Sequence, residues 1–214
     1  MNREPNEAGA AAPGQDSRER IIRAAAQVFG EAGYRGATTR RIAQVAGVNE
    51  VTLFRHFGSK EELIREAIAH AGRPEEEPTL PAEPADARGE LTEFSRKQLE
   101  HLFRLRSMIR TCMGEGEEHP EILPRATERP VRVHRALRDY LGRLKAQGRA
   151  RADADVDAAS SMLMGSLFSD AMGRDYMPEA FPYTIEAAPA RYVALVLRAV
   201  GAEEDGGARG KELE

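Results

Sequence analysis

The stretch from Thr38 to Lys60, TTRRIAQVAGVNEVTLFRHFGSK, constrains this chain more than any other. Ile42, Ala43 and Ala46 recur at helical spacing and give a short first helix one apolar side. Gly47 interrupts it with the backbone freedom that a sharp turn requires. Asn49 then suits the N-cap of a second helix, because its side-chain oxygen can accept a backbone N–H that the first turn leaves unpaired. In that helix Leu53 and Phe57 lie four residues apart and point inward together, which leaves Glu50, Val51, Thr52, Phe54 and His56 on or near the outer side. Ser59, followed by Glu61 and Glu62, opens a further helix with a cap and early acids. A helix–turn–helix of this kind places its second helix in the DNA major groove, N-terminal end foremost.

Several spaced elements agree in order between Ser17 and Leu63: the preceding helix RERIIRAAAQVFGEAGYRGATT, the core IAQVAGV, the second helix and the trailing SKEEL. Together they resemble the DNA-binding domain of the TetR (tetracycline repressor) family of bacterial transcription regulators. The resemblance implies that Thr39 caps its helix and touches phosphate, and that Lys60 binds phosphate. Arg40 follows Thr39, and an Arg can donate in a fork to guanine or simply contact phosphate. Two positions depart from the family's usual wording. Val51 replaces a small residue and can touch a thymine methyl. Phe54 replaces a Tyr and lacks the hydroxyl for phosphate, leaving it to pack against the sugar–phosphate wall. Glu50 suits cytosine N4 or serves only as an acid at a helix start. Thr52 and His56 are further candidate base or phosphate contacts.

A DNA partner raises the question of charge, since the chain carries a net −4. Between Ser17 and His70, however, nine Arg and Lys face six acids, so the segment is basic by three while the remainder is acidic. So small a surplus predicts salt-sensitive binding that needs two copies of the domain. Leu, Ala, Arg and Glu dominate and strand-type alternation is scarce, which predicts an all-α protein. Cys112 is the single cysteine, so an intrachain disulfide is impossible and a reducing cytoplasm fits. The start has no apolar run behind a basic segment, and the charge-free run Ala158–Ser169 is too short to span a bilayer. His101, His119 and His134 lack metal-ligand spacing, and no phosphate loop, nucleophile elbow or dinucleotide fingerprint appears. The expectation is no enzyme, no catalytic residue, no metal and no cofactor.

The rest of the chain divides by composition. Residues 1–16 read as a disordered tail, 17–70 as a three-helix DNA-binding domain, and 71–89, rich in Pro and Glu, as a linker or loop. Residues 90–202 read as a helical body and 203–214 as a second disordered tail. Within the body one helix starts at Glu90 and ends near Gly114 and Gly116, at most a short helix spans Pro120–Thr127, and Pro130 suits the start of the next. The TetR resemblance implies a body that dimerises through its last two long helices, with Met164, Leu167, Ala171, Tyr192, Val196 and Val200 as candidate interface residues. It also implies a pocket for a small apolar or aromatic effector, for which Leu102, Phe103, Met108, Cys112, Met162 and Phe168 are candidates. The function so implied is a ligand-responsive repressor that binds a palindromic operator as a homodimer. A DNA-binding dimer without an effector, or an enzyme keeping the domain as a relic, are the other classes considered.

Overall fold

The computed structural model describes residues 13–73 and 77–202, and within them all regular structure is helical. The eight α-helices are α1 (Pro13–Gly36), α2 (Thr39–Ala46), α3 (Glu50–Phe57), α4 (Lys60–Ala71), α5 (Ala87–Glu115), α6 (Leu123–Ala146), α7 (Val156–Gly173) and α8 (Ala188–Val200). Short 3-10 turns cover Pro120–Ile122 and Pro178–Ala180. The expectations for 1–12, 74–76 and 203–214 lie outside the described residues. Residues 13–16, expected within the first tail, are helical, since the fixed φ of Pro13 suits a first helical turn.

The chain forms two compact units. The first takes the chain up to Arg73 together with Ser107–Thr127. Its core gathers Ile21, Ala25, Val28 and Phe29 from α1, Ile42 from α2, Leu53 from α3, and Leu63, Ile64 and Ala67 from α4, all fully enclosed. Met108 and Cys112 of α5 and Ile122 of the 3-10 turn join the same cluster. The expected partition placed all of 90–202 in the body. The last turns of α5 pack into the core of the first unit.

A kink in α1 explains part of that attachment. Gly33 adopts φ 68 and ψ −176. The Tyr34 N–H, which in a straight helix would donate to the Gly30 carbonyl, donates instead to Glu115 Oε1 at 3.2 Å. The Gly30 carbonyl accepts from the hydroxyls of Ser107 at 2.8 Å and Thr111 at 3.4 Å. A Cβ on Gly33 would collide with the Glu115 carboxylate. Sequence, kink and hydrogen bonding thus fix one end of α5 on α1.

The second unit holds residues 74–106 and 128 onward. Leu91, Phe94, Leu99, Val133, Leu137, Tyr140, Leu141, Leu144, Leu163, Leu167, Val193, Leu197 and Val200 are enclosed in it. The stretch expected to be a linker is held in place at its later residues. Arg143 donates to the Pro81 carbonyl at 3.0 Å, and Arg149 donates to Pro84 at 2.6 Å and Ala85 at 2.9 Å. Glu90 accepts the backbone N–H groups of Ala85 and Asp86 and the Tyr140 hydroxyl. With its start so capped, α5 opens at Ala87, before Glu90. Contrary to expectation, Pro130 does not start a helix but lies inside α6. The helix tolerates it at the cost of one bond to the Ala126 carbonyl. A further polar knot joins α7 and α8: the enclosed Asp170 accepts Arg174 Nε at 2.7 Å, Arg174 Nη2 at 2.8 Å and the Tyr192 hydroxyl at 2.8 Å.

Candidate nucleic-acid interface

The helix–turn–helix assembles from local signals. Thr38 caps α2, its hydroxyl accepting the Arg41 N–H at 3.2 Å. The cap expected at Thr39 is therefore one residue early. Gly47 closes α2 in the left-handed region at φ 67 and ψ 37, with the Val48 N–H returning to the Ala43 carbonyl at 3.0 Å. Asn49 caps α3, and its Oδ1 accepts both the Thr52 N–H at 2.7 Å and the Thr52 hydroxyl at 2.8 Å. Leu53 and Phe57 are buried. Burying two such side chains contributes about 3–6 kcal/mol, which sets the rotation of α3 about its axis.

That rotation decides which side chains face outward. Val51 is 76% exposed and Phe54 45%. Arg55, four residues after Val51, is exposed on the same face of α3, and Arg40 at the start of α2 is exposed as well. Arg55 was absent from the expected contact set; its position opposite Leu53 and Phe57 was the available signal. Glu50 and Thr39 are half-buried, and the Thr39 hydroxyl donates to the Glu50 carboxylate, tying the first turn of α2 to that of α3. Thr52 is half-buried with its hydroxyl engaged by Asn49. His56 is half-buried, and its Nε2 is enclosed without a protein partner. It lies against the unit rather than projecting from it.

Lys60 begins α4 beside the cap Ser59, which accepts the Glu62 N–H at 3.1 Å. Its ammonium donates to the Tyr34 carbonyl at 2.5 Å and stands 4.2 Å from the centre of the Tyr34 ring. Burial lowers the Lys60 pKa, partly offset by Glu61 and Glu115. The Tyr34 hydroxyl donates to Glu61 at 3.1 Å, and its ring stacks on His119 at 3.7 Å. Burial, then the hydrogen bond to Glu61, pushes the Tyr34 phenol up to about 12. Glu115, Glu118 and His119 bring donor atoms within 4.8 Å of one another, a grouping the residue spacing did not suggest. All three have protein partners: Tyr34 N–H for Glu115, Arg35 for Glu118, and Tyr34 and Glu121 for His119.

Of the six residues expected to line an effector pocket, two belong to the first unit and four to the second. Met108 and Cys112 are in the core of the first unit, because the turns that carry them face α1. Burial pushes the Cys112 thiol up to about 11, an inert rather than a reactive sulfur. Met162 is 62% exposed, Phe103 and Phe168 are half-buried, and Leu102 is buried. The expected interface residues also need correction. Leu167, Ala171, Val196 and Val200 are enclosed within their own unit, and the half-buried Tyr192 is engaged by Asp170, while Met164 is half-buried. The outward positions are Asp157, Ala158, Ser161, Met162, Gly165 and Ser169 on α7 and Ala190, Arg191, Leu195, Arg198 and Ala199 on α8.

Comparison with known proteins decides the family. Residues 21–67 match the bacterial regulatory proteins of the tetR family, and residues 89–202 match the C-terminal domain of AefR-like transcriptional repressors. The chain belongs to the TetR family. Among TetR-family relatives, the HTH-type transcriptional repressor AcnR of Corynebacterium efficiens is 31% identical over 144 residues, covering 66% of this chain and 73% of AcnR. A TetR-family regulator from Mesorhizobium loti shares the fold with a TM-score of 0.69 at 23% identity, covering 88% of this chain and 98% of that one. FadR of Bacillus subtilis, solved in complex with stearoyl-CoA, matches with a TM-score of 0.61 at 20% identity, covering 87% and 99%. As a TetR-family member the chain is a DNA-binding transcription regulator. Among the described residues no helix is long and apolar enough to cross a membrane.

Proposed function

We propose that the protein is a ligand-responsive repressor that binds a palindromic operator as a homodimer. Each subunit lays α3 in the major groove of one half-site, with Arg40, Val51, Phe54 and Arg55 toward the DNA and Lys60 toward phosphate. The observation that carries this reading is the outer face of α2 and α3, where two arginines and two apolar side chains stand exposed over a buried Leu53–Phe57 base. Arginines supply forked donors for guanine or phosphate, and Val51 and Phe54 supply apolar contact to thymine methyls and sugars. Thr39 and Glu50 support this face through their mutual bond, Thr52 through its bonds to Asn49, and His56 from its half-buried place beside Phe57.

Lys60 carries three N–H donors and spends one on the Tyr34 carbonyl, which leaves two for a phosphate oxygen. A ligand in the second unit represses binding only if it prefers the subunit arrangement that mismatches the half-site spacing. The place of Met108 and Cys112 in the core of the first unit favours a second reading, a DNA-binding dimer without an effector.

Fluorescence anisotropy on DNA from upstream of the protein's own coding region tests the interface. Lys60→Ala should weaken binding evenly across sequences and reduce the slope of log affinity against log salt by about one per subunit. Arg55→Ala should cost about 1–3 kcal/mol and relax the preference at one base pair per half-site. If both variants bind as the parent does, α3 and Lys60 do not face DNA.

A further inference from the structure

The second unit carries a polar layer in an otherwise apolar interior. Ser95, Gln98 and His101 of α5 and Arg129 of α6 are each more than nine-tenths buried. Ser95 and Gln98 are one turn apart on a single face, and His101 follows one turn later. Buried polar groups normally come with partners. Here the accounting falls short. Arg129 has five N–H donors. Its Nη2 donates to Gln98 Oε1 at 3.1 Å. Its Nε is enclosed without a hydrogen-bond partner, 3.6 Å from Glu77 Oε1 and too far for a hydrogen bond. The Ser95 hydroxyl is likewise enclosed without a partner.

His101 adds a donor rather than an acceptor to this layer. Its Nδ1 lies 3.0 Å from Arg104 Nη2, and an arginine can only donate, so the ring proton sits on Nε2. Burial first, then the charges of Arg129 and Arg104, holds its pKa down to about 4, so the ring is neutral near pH 7. The layer therefore carries an excess of donors around one buried cation, Arg129, whose nearest described carboxylate is Glu77. A buried guanidinium so incompletely met is unfavourable unless something else satisfies it. A planar carboxylate matches the guanidinium fork with two parallel bonds. Glu77 does this poorly: it is shared between Arg129 at 3.6 Å and Arg132 at 3.5 Å, and it is itself partly exposed.

We propose that Ser95, Gln98, His101 and Arg129 form the head-group subsite of an effector bearing a carboxylate, and that Glu77 occupies the carboxylate's place in the free protein. This rests on reading the chain as a ligand-responsive regulator, and it names the ligand's chemistry. Leu99, Leu102 and Val133, buried on the same two helices, would meet the apolar remainder. An incoming carboxylate exchanges a distant, shared partner for a bidentate one. Glu77 is then released to solvent, where an exposed carboxylate is stable unpaired.

The test uses the full chain with sodium octanoate and sodium benzoate as probes, and octanamide and benzamide as neutral matches of the same shape. Thermal shift and calorimetry should show saturable binding of at least one carboxylate, with its amide at least about tenfold weaker. Glu77→Gln, on the surface, removes the internal competitor and should tighten carboxylate binding by roughly threefold or more. Arg129→Gln should abolish it; if that variant fails to fold, the Glu77→Gln comparison and the amide controls still decide. Amides that bind as well as acids, an unchanged affinity in Glu77→Gln, or no binding of either carboxylate overturns the subsite. Operator affinity measured on the same samples separates the two readings. Intact DNA binding without carboxylate binding removes the subsite alone, whereas absent DNA binding removes the regulator reading.

Discussion

At φ 67 and ψ 37, Gly47 holds a left-handed conformation, and a Cβ placed on it meets no atom within 4 Å. Gly47→Ala therefore isolates backbone strain from packing, and should destabilise the protein by about 1 kcal/mol in urea unfolding. At His101 the relevant quantity is a proton. Its folded pKa of about 4 lies below the ordinary 6.5, so between those values the unfolded chain binds more protons than the folded one. Its contribution is fully present above pH 6.5 and is lost as pH falls toward 4. Urea titrations across that window should show stability dropping with pH, by up to about 3 kcal/mol from this residue. In His101→Gln the slope above the carboxylate range should flatten. An unchanged slope would mean that the ring is protonated in the folded state.

Among the elements, α2, α3 and the start of α4 were legible because each carries its own punctuation. Thr38, Asn49 and Ser59 accept first-turn N–H groups, Gly47 turns the chain, and Leu53 with Phe57 names the inner face. No comparable mark divides α5. Its apolar residues spread around much of the helix, so spacing alone could not assign Leu91 and Leu99 to one unit and Met108 and Cys112 to the other. The same difficulty misplaced the interface: α7 is apolar or small on nearly every side, and its pattern does not tell Leu167, which faces its own core, from Met162, which faces out. Arg55 was passed over although the register that buries Leu53 puts it outward. In α6 the proline misled, because its ring usually marks a helix start and here sits within one. Pro130→Ala restores a donor for the Ala126 carbonyl, and should raise stability by about 1 kcal/mol or more in thermal or urea unfolding. A loss of stability would show that the helix is shaped around the ring.

For the whole molecule, two copies are needed to present two reading helices, and the exposed Met162 and Leu195 are the large apolar residues on α7 and α8 that a partner could cover. A Met162→Glu, Leu195→Glu double variant should sediment as a monomer with its helix content retained, and should lose operator affinity by roughly a hundredfold or more. A variant that remains dimeric would move the interface elsewhere. The division of the chain has a practical consequence for anyone recombining regulators of this kind. A graft made by exchanging everything before residue 74 would leave behind Met108, Cys112 and Ile122, and the transplanted DNA-reading head would arrive with its floor missing. A working chimaera must carry residues 107–127 along with the head, although some thirty residues of the other half are threaded between the two pieces.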